Sequence, residues 1–467
     1  MLRLPRPRAW EISALVLGAL LRVSMALTHD ARIGFDFNGH WPNIAYITAH
    51  HALFPLGLSA VSYHPPLYHV IAALLVGRGL GPGALGWLAV LLGILRLLVV
   101  WVGLERWLPE SRLARVVALF TAAVLPAAVQ LDGMVTNEPL STLFCALAIV
   151  AAPAAIEGLR AGRVAPTAWL ALWLGLALIT KISAVVLVVS LLVAVAVDVA
   201  RGPEPWGSAW RARAKPLAVG AALVAALSGW FFVRNQVLYG QPAPTAYDAM
   251  LKPNQAPYEK IPYLQRRPLG FFLGWAPSVF ASPYTPSGYA PEPRFFSVMV
   301  ASTFSDFYLY DFAARDARTP TVEVRRHPVP TLAFTLSRLS TIGGTLLAAL
   351  ALAAWFGSWR AFRGRPPDAR LFFLPLPLLA VLGQMHFSTK YPNDNFGTIK
   401  GTYLQFVAPV LFGLTGIAVA WMWRRTWARV GAIAAVAALA LVALYTIDCR
   451  WPRVGPRATG PAPFFEK

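Results

Sequence analysis

The feature that most constrains this chain is a succession of apolar runs, most of them near twenty residues long, separated by short polar joints. A helix rising about 1.5 Å per residue crosses the hydrocarbon of a bilayer in about twenty residues. About eleven runs qualify by that criterion, near 11–28, 84–104, 113–131, 137–156, 166–180, 182–200, 216–233, 331–357, 371–386, 402–423 and 429–448. Only 13% of the residues are charged, against about 25% in an ordinary soluble domain. In lipid every backbone polar group must be satisfied inside the protein, which leaves helices or a closed barrel. Runs of this length select helices. The expected fold class is all-α: a polytopic membrane helical bundle of about eleven spans, with helices lying along the membrane surface in its first outer loop. One integral membrane domain over 1–450 and a short tail, 451–467, account for the chain.

The net charge of +20 invites a nucleic-acid reading, but its distribution excludes that class. Arginines gather in alternate joints: Arg106, Arg112 and Arg115; Arg160 and Arg163; Arg201, Arg211 and Arg213; Arg360 and Arg363; Arg424, Arg425 and Arg429. Cytoplasmic loops carry such an excess, where they face anionic lipid. The alternation places the N-terminus in the cytoplasm, the tail outside, and no nucleic acid among the partners. The first run has a basic start and a Ser24-Met25-Ala26 segment that resembles a cleavage site. Arg22 late in the run and the many spans after it favour an uncleaved anchor. Cys145 and Cys449 have neither disulfide nor metal spacing and read as packing residues. Richness in Ala, Arg, Pro and Trp suits a bacterial protein, and hence a cell (inner) membrane.

Two segments are not spans and belong outside. One is 29–83, which holds six of the eight histidines; the other is 234–330, rich in Pro, Tyr and Phe. In the first, Pro42 fits the first turn of a helix, so a helix is expected from about 41 to 53, with Asp36 and His40 on its lead-in. A carboxylate just outside the bilayer can act as a general base or join His40 on a divalent metal ion. It can equally cap the helix. The loop lacks a tight ligand spacing for zinc, and no cofactor is certain. Next comes Tyr63-His64-Pro65-Pro66-Leu67-Tyr68-His69, where His64 either meets a phosphate or merely belongs to a turn that aims a helix.

Other outer turns also carry polar groups. Asp132 and Glu138 flank a tight turn and either face a cavity or cap the turn. Lys181 and Arg234, each at the outer end of a run, can receive phosphate or pair with a carboxylate. Lys390, Tyr391, Asp394, Lys400 and Tyr403 mark the last outer turn. Arg96 lies inside the second run and needs an internal partner or a route to the interface.

The order of these pieces resembles the C-type integral-membrane glycosyltransferases, near the bacterial relatives of the dolichyl-phosphate-mannose protein mannosyltransferases and the lipid A aminoarabinose transferases. The resemblance covers about 10–424 and rests on Asp36, Pro-Pro-Leu-Tyr at 65–68, Val-Thr-Asn-Glu at 135–138 and Leu-Ile-Thr-Lys at 178–181. Trp230 with Arg234-Asn235, Tyr239-Gly240 and Lys-Gly-Thr-Tyr at 400–403 complete it. It implies a hexosyl- or pentosyltransferase that takes sugar from a polyprenyl-phosphate donor on the extracytoplasmic face and inverts the anomeric carbon. Asp36 is then the catalytic base, with His40, Asp132 and Glu138 around the acceptor or a metal. His64, Lys181, Arg234, Lys400 and Tyr403 hold the donor phosphate. Membrane lipid is the other implied partner, and the acceptor stays open between protein, lipid and glycan. Some relatives have Lys where this chain has His64, and the large soluble domain that some carry after the last span is not seen. A lipid-linked sugar flippase and a polysaccharide ligase using a diphosphate-linked donor remain alternative readings of the same pattern.

Overall fold

The computed structural model describes residues 7–34, 36–244, 261–281, 283, 294–306, 313–315, 324–326, 331–363, 372–392 and 398–450. The tail 451–467, Asp394 and the side chain of Cys449 lie outside the described residues.

The architecture is an all-α polytopic bundle. Its first half comprises α1 (Ala9–Thr28), α2 (Phe37–His50), α3 (Leu67–Val76), α4 (Pro82–Trp107) and α5 (Arg112–Val124). Then come α6 (Pro126–Leu131), α7 (Glu138–Arg160), α8 (Val164–Leu178) and α9 (Val185–Arg201). The second half runs through α10 (Trp206–Tyr239), α11 (Phe295–Phe304), α12 (Thr331–Arg363), α13 (Pro375–Lys390), α14 (Ala408–Met422) and α15 (Thr426–Arg450). A two-stranded antiparallel ribbon pairs Ala313–Arg315 with Val324–Arg326. Among the described residues, eight helices are long and apolar enough to cross a membrane, which makes this an integral membrane protein. They are α1, α4, α7, α9 together with the helical turn before it (Ile182–Arg201), α10, α12, α14 together with the helical turns before it (Gly401–Met422), and α15.

Three of the expected runs form shorter helices. The run 113–131 breaks at Pro126: the proline pushes Leu125 out of the helical region, to ψ 117°, and opens α6 as its first residue. The run 166–180 gives the 15-residue α8, stopped by the Ile179-Thr180-Lys181 turn. The run near 371–386 gives the 16-residue α13. In contrast, the run 216–233 belongs to a 34-residue helix, α10, which passes through a π segment at Ala225–Gly229 rather than ending.

Neighbouring helices pack side by side: α7 and α8, α5 and α14, and α12 and α15 run antiparallel, whereas α10 runs parallel to α8, with Gly220 over Thr167 and Leu227 over Gly175. The chain therefore delivers its joints alternately to two ends. The arginine-bearing joints share one end, where Arg115 pairs with Glu105 at 3.0 Å and Asp198 is gripped by Arg160 and Arg213 at 2.5 and 2.9 Å. The other end gathers the polar joints and is roofed by α2 and α3. There α2 starts at Phe37, earlier than expected, so His40 is inside its first turn and Pro42 is within the helix. Asp36 precedes it in the left-handed region, at φ 62°.

Candidate functional site

Short joints from four parts of the chain lock together at the roofed end. The amide N–H of Leu67 donates to the carbonyl of Ile179 at 3.1 Å, which fixes the Pro-Pro-Leu entry of α3 on the end of α8. Asn137 Nδ2 donates to the Thr180 carbonyl at 3.2 Å, and Thr136 Oγ1 meets His40 Nε2 at 3.3 Å. Opposite them, the Gly401 N–H donates to Ser302 Oγ at 2.8 Å. A Cβ at Gly401 would lie 2.7 Å from the Thr303 backbone, so the residue after Lys400 has to be glycine for this approach.

These anchors converge two cations on one ring. Lys181 Nζ lies 5.1 Å from the Tyr403 ring centre and Lys400 Nζ lies 5.6 Å from it, both within cation–π range. Each ammonium also faces a carboxylate. Lys181 donates to Glu138 Oε1, and Lys400 donates to Asp36 Oδ2 at 3.4 Å. Both lysines and Glu138 are buried, whereas the Asp36 side chain is 43% exposed. Asp36 is thus the accessible member of the cluster, held by one long contact. Two ammonium groups beside an accessible carboxylate can hold a phosphate and take a proton from a hydroxyl.

Histidines form the wall behind this cluster. His40 Nδ1 and His69 Nε2 are hydrogen-bonded at 3.0 Å, and the His40 ring stacks on His64 with centres 5.9 Å apart. All three rings are buried. Burial, then the charges of Lys181 and Lys400, push His40 down to about 3. Burial and Lys181 likewise hold His64 well below the ordinary histidine value. His64 therefore enters this site as a neutral hydrogen-bonding group, not as the phosphate-binding cation that its position suggests. Both ring nitrogens of His40 are turned to His69 and Thr136 rather than to Asp36. Among the described residues, no group of three or more His, Cys, Asp or Glu is arranged to hold a metal ion.

Two of the expected site residues stand elsewhere. Asp132 is fully buried, and one of its oxygens takes hydrogen bonds from Arg22 Nε and Arg96, each at 2.7 Å. It is neither exposed nor part of the lysine cluster. The supposed outer turn is itself buried at every residue from Leu131 to Leu140, because the 29–83 loop covers that end. Arg234 lies against the Tyr239 ring at 5.9 Å and lines a small cavity with Ser62 and Pro66 that includes neither lysine. Lys390 sits over Tyr391 at 5.2 Å. The histidine pair, Thr136 and the partners of Asp132 are the groups that sequence reasoning did not assemble. A signal did exist for the last of these. Arg22 and Arg96 both occur inside apolar runs, and ionisable groups at such depth pair with one another.

No family model matches the sequence, and no curated protein matches it either. Among solved structures, the chain is similar to ArnT from Cupriavidus metallidurans. The apo crystal structure gives 15% identity and a TM-score of 0.48, over 90% of this chain and 61% of that one. The structure of the same protein bound to undecaprenyl phosphate gives 16% identity and a TM-score of 0.48, over 90% and 62%. This chain spans about three fifths of the length of those proteins.

Proposed function

We propose that this protein is a membrane glycosyltransferase that takes a sugar from a polyprenyl monophosphate and inverts the anomeric carbon, working at the extracytoplasmic face with its N-terminus in the cytoplasm. The observation that carries the reading is the convergence of Lys181 and Lys400 on Tyr403 beside the accessible carboxylate of Asp36. The arginine-bearing joints at the opposite end support the orientation. In this reading the donor phosphate draws both ammoniums to itself, since a phosphate competes well for charge-assisted hydrogen bonds. An acceptor hydroxyl attacks the anomeric carbon from the side opposite the phosphate. Its proton passes to Asp36, the sugar–oxygen bond breaks, and the electron pair leaves with the polyprenyl phosphate. Positioning and neutralisation of the leaving charge supply most of the rate. His64 and Tyr403 line the phosphate site as neutral donors, and Glu138 sets Lys181. Arg234 serves at the neighbouring cavity.

The test uses the full chain in lipid nanodiscs with candidate undecaprenyl-phosphate sugars. The proposal expects free undecaprenyl phosphate to be released together with glycosylated acceptor. A transporter moves the lipid without releasing it, and a ligase of the alternative kind consumes only diphosphate-linked donors. Either of those outcomes overturns the reading.

A further inference from the structure

Arg96 lies 94% buried in the middle of α4 and has no role in the chemistry above. Its guanidinium makes two contacts at once. One nitrogen donates to Asp132 Oδ2 at 2.7 Å, and the other donates to Thr142 Oγ1 at 2.9 Å. Asp132 closes α6, and Thr142 lies in the second turn of α7, so one fork spans both sides of the turn between these helices. Arg22 of α1 completes the grip on Asp132 and also donates to the Gly18 and Ala123 carbonyls at 2.9 and 3.0 Å. The turn so held carries Thr136 against His40, Asn137 against the Thr180 carbonyl, and Glu138 against Lys181. Thr142 Oγ1 itself donates to the Glu138 carbonyl at 2.9 Å, which ties the fork directly to the residue that faces the lysine. Gly93 permits the arrangement: a Cβ there would lie 2.3 Å from the Asp132 carboxylate.

We propose that Arg96 is a positioning residue, bridging Asp132 and Thr142 to fix the Thr136–Glu138 strip and through it the ammonium of Lys181. This rests on the functional reading above. A planar fork with two parallel donors suits the task, whereas a lysine offers one flexible point charge. Simple charge pairing would need only Asp132, and Arg22 already supplies that. The contact to Thr142 is the part that pairing leaves unexplained.

The test is Thr142→Val, which keeps shape and removes the hydroxyl, beside Thr142→Ser, which keeps the hydroxyl. Both are made in the full chain in nanodiscs. Two quantities are read: amide hydrogen exchange over residues 133–138, and affinity for undecaprenyl phosphate. Loss of a buried hydrogen bond to a charged group is worth about a tenfold change in such equilibria. The valine variant is expected to exchange about tenfold faster over that strip and to bind about tenfold more weakly, with the serine variant restoring both. A purely structural role lowers the unfolding temperature but leaves the affinity unchanged. That result, or unchanged exchange over the strip, overturns the proposal. If the wild-type protein does not bind undecaprenyl phosphate, the donor reading fails, and the exchange comparison alone decides the clamp. Should the valine variant not fold, Arg96→Lys is read in the same way, with the same loosening of the strip expected.

Discussion

Asp132 and Asp36 stand at the same end of the bundle and both face cations, yet their surroundings commit them to opposite tasks. Asp132 is sealed from solvent between two guanidiniums at 2.7 Å. Asp36 is nearly half exposed and meets a single ammonium at 3.4 Å. A sealed carboxylate with two short partners cannot take up a proton from a substrate it never meets, but its removal strands two charges. An open carboxylate with one loose partner contributes little to stability and stays available to a substrate. Burial and partner number, rather than residue type or sequence neighbourhood, distinguish the two aspartates.

The comparison can be broken at either pole. The largest expected effect is at the open one: Asp36→Asn lowers sugar transfer by about a thousandfold, within the usual range for loss of a general base. Its unfolding temperature stays that of the wild type, as calorimetry would show; retained transfer would remove Asp36 from the chemistry. At the sealed pole, Asp132→Ala costs about 3–5 kcal/mol, the usual consequence of leaving buried partners uncompensated. Denaturant titration or loss of monodisperse protein on gel filtration would register it. A wild-type-like unfolding curve would show that Arg22 and Arg96 do not depend on Asp132.

A smaller effect belongs to the buried histidines. His40 is held at about 3, against about 6.5 for an exposed histidine. The unfolded chain therefore takes up a proton that the fold refuses. Stability from this group is complete above about pH 6.5 and is lost as the pH falls from there toward 3. The slope reaches at most about 1.4 kcal/mol per pH unit for each such histidine. Unfolding temperatures should fall between pH 7 and 5, and His40→Gln should flatten that fall; an unchanged slope would place the titration elsewhere. The smallest effect is expected of Lys400→Gln on stability, below about 1 kcal/mol, because the Asp36 carboxylate that it meets is partly exposed and solvent-screened. The same variant should clearly weaken undecaprenyl phosphate binding, and a stability loss as large as that of Asp132→Ala would erase the distinction between the two aspartates.

Much of the fold was legible because apolar run length is a direct readout of bilayer thickness. What the runs could not say is how many residues of each become helix. Pro126 split one run, and α10 extends from Trp206 to Tyr239, beyond both ends of the run 216–233. The ordered set of polar joints identified Asp36, Lys181, Glu138, Lys400 and Tyr403, and the structure brings these together. Asp132 was misplaced because sequence reports that a turn is polar but not that another loop lies over it. Arg22 and Arg96 inside apolar runs announce that each needs an internal partner, but the sequence does not say that both share Asp132, since the contact joins three separate helices. Nor does the sequence alone reveal that His64 is held below the ordinary histidine value, since that follows from burial and then from the proximity of Lys181.

The left-handed backbone at Asp36 narrows which amino acids that position can accept. Glycine, asparagine, aspartate and histidine occupy such a conformation most readily, as His51 does elsewhere in this chain. A glutamate would keep the acid yet strain the chain while pushing its carboxylate further out. Any saturation library at codon 36 should therefore return aspartate alone when selected for turnover, but a small set of short residues when selected only for expression.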